Sequence, residues 1–125
     1  MPDARFPVEA VGTVPVVTAP EEIDITNADE LRTALHDAAA DGHGTFVVDM
    51  TQTVFCDSAG LHALVAAHRR ARAEGGETLL VISSLAVLRV FAITGLDGVI
   101  PNFTSLGEAL AHASAAAIDP QSSAS

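Results

Sequence analysis

Two five-residue runs, TFVVD over Thr45–Asp49 and TLLVI over Thr78–Ile82, constrain this chain more than any other feature. Each is apolar, contains β-branched residues and has the length of a buried strand. Strands buried on both faces belong to parallel sheets, where crossover helices cover the two sides. The segments after the runs have helical spacing. Asp57 precedes Leu61, Leu64, Val65 and His68, and Ser83 or Ser84 precedes Leu85, Leu88 and Phe91. Asp and Ser accept hydrogen bonds from the free amides of a first helical turn. Gly75-Gly76 and Gly95 close these two helices.

The alternation extends to both sides. Residues 8–11 and 13–18 read as short strands. Pro15 has no N–H, which puts the second at a sheet edge or starts it beyond the proline. Asn27-Ala-Asp-Glu30 reads as a helix start with a side-chain cap, followed by Leu31, Ala34, Leu35 and Ala38 on one face. Gly42 and Gly44 end that helix, and residues 50–57 read as a loop. A short strand near Val99–Phe103 precedes a last helix, opened by the capping box Ser105-Leu-Gly-Glu108. Leu106, Ala109, Leu110 and Ala113 form its inner face. The expected fold is α/β, a mixed four- to five-stranded sheet covered by about four helices. Its expected core is Phe46, Val47, Val48, Leu79, Leu80, Val81, Leu64 and Leu88. Residues 8–116 form the expected domain, with flexible flanks over 1–7 and 117–125.

Charge and composition exclude several functions. Sixteen acids against six basic residues give a net charge of −10, which repels phosphate backbones and anionic lipid. Nucleic acid and membrane are therefore not expected partners. All six basic residues are arginines. Without lysine there is no Walker A loop and no pyridoxal-phosphate Schiff base, and no cofactor is expected. Cys56 is the single cysteine, so no internal disulfide forms, in keeping with a reducing compartment. The segment MPDARFPVEAVG lacks the apolar run of a signal peptide, and nothing reaches 18 apolar residues. A cytoplasmic protein is expected. Eleven of the acids fall in residues 1–60 against two arginines, so one side of the fold is expected to be acidic.

Chemistry concentrates in VVDMTQTVFCDSAGLHAL. A buried strand ends at Asp49, and a loop delivers Asp57 and Ser58 to the start of a helix. The carboxyl ends of parallel strands are where such sheets place their sites. Amides in a first helical turn have no intrahelical partner and favour an anion, so a phosphate on Ser58 would meet them. Ala59 and Gly60 add little bulk and let a partner come close. The same residues also serve as a plain helix start. His36, His43, His62, His68 and His112 make no H-E-x-x-H, no zinc spacing is present, and no metal is expected. Phe55-Cys56-Asp57 before Ser58 is not a nucleophile elbow, and Cys56 reads as a small buried hydrophobe. No catalytic set emerges.

Three blocks, VVDMTQTVFCDSAGLHAL, the upstream EEIDITNADELRTAL and the downstream LRVFAITGLDGVI, occur in this order. Together they resemble the STAS domains of bacterial anti-sigma factor antagonists over residues 8–113. That family shares a strand ending in Asp and D-S-[small]-G-L opening a helix, with E-[IL]-D upstream. The resemblance implies that Ser58 is the serine phosphorylated by an anti-sigma-factor kinase. It implies that Asp57 is the acid beside it, and that Asp24 lies near the phosphorylation site and the kinase contact. Asp24, Asp57, Ser58, Ala59 and Gly60 are then the expected partner surface. Ala59 stands where the family commonly has Ser or Thr, which leaves Ser58 the one hydroxyl in that motif. Glu21 stands where a glycine is frequent. The implied function is a non-enzymatic antagonist that binds the kinase, frees a sigma factor and is switched off by phosphorylation of Ser58. A partner phosphatase then restores it. Weak self-association through helix faces is a further expectation. The same resemblance admits a scaffold or accessory subunit of a stress-sensing or lipid-transport complex.

Overall fold

In a computed structural model that describes residues 5–118, the chain folds into seven strands and four helices. The strands are β1 (Val8–Val11), β2 (Val14–Thr18), β3 (Glu22–Ile23), β4 (Phe46–Met50), β5 (Phe55–Cys56), β6 (Thr78–Ile82) and β7 (Asn102–Phe103). The helices are α1 (Ala28–Asp41), α2 (Ser58–Ala73), α3 (Leu85–Thr94) and α4 (Leu106–Ile118). A five-stranded sheet runs β1-β2-β4-β6-β7. β1 is antiparallel to β2, and the other pairs are parallel. Crossovers are overwhelmingly of one hand, so a sheet extended always in the same direction gathers its crossover helices on one face. That face carries α1, α2 and α3, and α4 covers the other.

The two apolar runs serve both faces at once. Phe46, Val48, Met50, Leu80 and Ile82 pack with α1–α3, while Val47, Leu79 and Val81 pack with Ala109 and Ala113 of α4. Seven of the eight expected core residues are wholly buried, and Leu88 packs partly buried against them. The face of α3 differs from expectation. Leu85 is 76% exposed, and Val87 joins Phe91 in the core. Ser84 is the cap, accepting from the Val87 amide at 3.4 Å, and this sets the helix phase.

Three local readings are corrected. Pro15 lies inside β2, an interior strand. The Thr18 amide donates to the Pro7 carbonyl at 2.9 Å, so alternate amides of β2 face β1 and the Pro15 nitrogen faces β4. The parallel ladder to β4 begins only at Val16, beyond the proline. Residues 50–57 are not all loop, because β5 pairs in parallel with β3. Asn27 precedes α1 but its side chain does not cap it. Of the expected flanks, residues 1–4 and 119–125 lie outside the described residues. Phe6 is buried in the main core, and α4 continues to Ile118. No described helix is long and apolar enough to cross a membrane.

Candidate functional site

The site is assembled where the β3 segment meets the loop after β4. The Thr53 hydroxyl is buried and donates to the Pro20 carbonyl at 2.8 Å. The Val54 amide donates to the Glu21 carbonyl at 2.8 Å, and the Asp57 amide to the Ile23 carbonyl at 3.0 Å. These bonds lay Glu22-Ile23-Asp24 alongside Phe55-Cys56-Asp57.

Asp57 completes the junction with both carboxylate oxygens. Oδ1 accepts from the Gly60 amide at 3.1 Å, capping α2. Oδ2 accepts from the Ile25 amide at 3.1 Å, across 32 residues of chain. The cap and the tether hold one rigid corner, and Ser58 is the first helical residue beyond it. Ser58 is exposed and Ala59 half-buried. Gly60 is buried, and a Cβ there would stand 2.6 Å from Ile23 Cγ2 and 2.7 Å from Cys56 Sγ. The glycine therefore lets α2 start directly against the β3–β5 pair. Cys56 fills the space beneath. Burial, and then the Asp57 charge, push its thiol up to about 12, which keeps it protonated and inert.

Asp24 closes a tight turn beside this corner. Its Oδ1 accepts from both the Thr26 hydroxyl and the Thr26 amide. The hydroxyl first, and the amide second, hold the carboxyl below its ordinary 3.8. The Asp24 amide donates to Asn27 Oδ1 at 2.9 Å, and Asn27 Nδ2 donates to the Glu22 carbonyl at 2.9 Å. Asn27 is thus the buried organiser of the turn rather than a helix cap. Asp24 and Asp57 converge on neighbouring amides of one turn, those of Thr26 and Ile25.

Sequence reasoning missed a set of apolar side chains around this corner. Ile25 is 78% exposed, Val54 55% and Phe55 49%. The start of α3 adds exposed Leu85, near the loop whose Thr51 carbonyl accepts from the Ser83 hydroxyl at 2.9 Å. The signal was the Val54-Phe55 pair in an otherwise polar connection. Exposed Glu21 and Glu22 border the set. The corner therefore offers a hydroxyl, fixed carboxylates and exposed apolar side chains.

Comparison with known proteins agrees with this architecture. The STAS domain model matches residues 5–109. An anti-sigma factor antagonist from Mycobacterium paratuberculosis is 31% identical, with a TM-score of 0.78 over 86% of this chain and 92% of that one. The Bacillus cell-fate determinant SpoIIAA in its phosphorylated form is 24% identical, with a TM-score of 0.66 over 86% of this chain and 97% of that one. The murine anion transporter Slc26a9 also contains the fold, at 21% identity and a TM-score of 0.67, over 86% of this chain but 18% of the transporter. No protein of curated function matches the chain. The sheet order, the D-S-A-G-L corner and the extent of the family match lead to one conclusion: the chain belongs to the STAS domain family, with the fold of the anti-sigma factor antagonists.

Proposed function

We propose that this protein is an anti-sigma factor antagonist that binds an anti-sigma-factor kinase through the Ser58 corner and so releases a sigma factor. Phosphorylation of Ser58 by that kinase ends the binding, and a phosphatase resets it. The observation that carries the reading is an exposed Ser58 at the first turn of α2, fixed by the two hydrogen bonds of Asp57. The chain is ligand and substrate; the kinase supplies the nucleotide and the chemistry. A phosphoryl group adds about −1.5 to −2 charges. Set on the corner that carries Asp57 and exposed Phe55, that charge and its bulk must shed bound water to pack against a partner, so it opposes the interface by desolvation and by size. An acidic, apolar-centred surface suits a kinase face with arginines around an apolar patch. The reading places the protein in the cytoplasm with its kinase.

The test incubates the protein with its kinase and ATP and locates phosphate by mass spectrometry. Phosphate on Ser58 is expected. Ser58→Ala retains kinase binding without modification, since Asp57 still caps α2. Ser58→Glu weakens binding by at least about tenfold, the scale of an unpaired charge buried in an interface. Phosphate only on Thr51, Thr53 or Ser105 overturns the assignment. The occurrence of this fold within a transporter favours the accessory-subunit reading as the second choice. Stable capture of a transport protein together with failure to bind the kinase would establish it instead.

A further inference from the structure

On the outer side of the helical layer, α1 and α2 enclose a groove of about 170 Å³. Leu35, Ala39 and Ala63 are buried and form its floor. Exposed Arg32 and His36 stand on the α1 lip and exposed Arg70 on the α2 lip. Among the described residues no acidic side chain lines it, although the chain carries sixteen acids and a net charge of −10. Arg32 Nη1 contacts Asp29 at 2.9 Å and Arg70 Nε contacts Glu74 at 3.7 Å. Both are exposed single-point pairs of small worth, and each guanidinium, with five N–H donors, keeps donors for another acceptor. A cavity of this size matches a body of about six to eight heavy atoms, since one of about 150 Å³ holds benzene. None of these residues belongs to the Ser58 corner.

We propose that this groove binds a small amphipathic organic carboxylate. Its apolar body rests on Leu35, Ala39 and Ala63, and its carboxylate pairs with a guanidinium on either lip, that of Arg32 or of Arg70. The apolar floor supplies burial and the guanidinium lips supply charge-assisted hydrogen bonds, so the ligand needs both parts. A bound molecule bridges the two helices and raises the melting temperature by mass action.

The test titrates the isotopically labelled protein with hexanoate, hexanol and hexylammonium and follows backbone amide shifts. Saturable shifts at Leu35, Ala39, Ala63 and Ala67 are expected with hexanoate, at least about tenfold tighter than with hexanol. Hexylammonium binds weakest. Arg32→Gln with Arg70→Gln brings hexanoate down to the level of hexanol. Ala66→Leu, an exposed helix position of good propensity, fills the groove and removes both. Melts of the free variants confirm their folding. Equal binding of hexanoate and hexanol, or shifts that do not saturate or lie elsewhere, would overturn the proposal. Groove shifts that appear on concentrating the protein without ligand would assign the surface to a second copy and overturn it as well.

Discussion

Asp57 does two jobs that a sequence motif compresses into one letter. It accepts from Gly60 at the helix start and from Ile25 across the junction. Asn offers one acceptor oxygen in place of two, so Asp57→Asn keeps the cap and loses the tether, and Asp57→Ala loses both. Removing a cap costs about 0.5–2 kcal/mol. Thermal melts are expected to fall by about 4–8 °C for Asp57→Ala, and by roughly half that for Asp57→Asn. Equal melts for both variants and wild type would show that neither bond holds the corner. Asp24 is a different case. Its folded value lies below 3.8, so its stabilising contribution is complete above about pH 3.8 and is lost as pH falls through the lowered value. The difference in melting temperature between wild type and Asp24→Asn should therefore shrink from pH 5 to pH 2.5. Gly60→Ala forces a Cβ against Ile23 and Cys56, an overpacking that costs about 1–3 kcal/mol. Ile23→Ala removes the Cγ2 methyl that meets that Cβ, and the double variant should be less destabilised than the sum of the two singles.

At the scale of elements, the two-residue strands β3 and β5 matter beyond their size. Their pairing carries Asp24 to the head of α2 and turns Ile25, Val54 and Phe55 outward. Helix α3 contributes Leu85 at its first residue, and its Ile93, equally exposed, lies eight residues on, about 12 Å along the axis. This separation gives an internal control. Phe55→Ser and Leu85→Ser are expected to weaken kinase binding by tenfold or more, on the scale of truncated interface anchors, with melts near wild type. Ile93→Ser should leave binding unchanged. Isothermal calorimetry against the kinase checks all three, and equal losses from all three would mean that the apolar surface is not centred on the Ser58 corner.

Across the whole molecule, the sheet meets one buried polar ring on its helical side. His68 of α2 is buried, and its Nδ1 accepts from the Thr78 amide of β6 at 3.3 Å. Desolvation first, and then the Arg72 charge, lower its value from the ordinary 6.5. The unfolded chain therefore binds this proton more readily, and stability falls as pH drops below about 6.5 through the lowered value. Melting temperatures should decline from pH 7.5 to pH 5. His68→Asn, whose amide oxygen can accept from Thr78, should flatten that decline; an unchanged slope would place the titrating group elsewhere. The architecture itself was legible because its signals are local. Apolar runs, caps and glycine stops set the order of strands and helices, and the two buried runs demanded helices on both faces. Ser58 at a helix start was legible for the same reason. Other features required the tertiary structure. The β3–β5 pair is too short to carry a period, the second bond of Asp57 spans 32 residues, and Asn27 turns to the Glu22 carbonyl instead of its own helix. The demand for glycine at position 60 comes from Ile23, far away in sequence. Sequence alone determines which segments bury their side chains, because that follows from spacing along the chain. Which amides and methyl groups meet at the Ser58 corner follows from register between distant segments, and only the folded sheet sets that register.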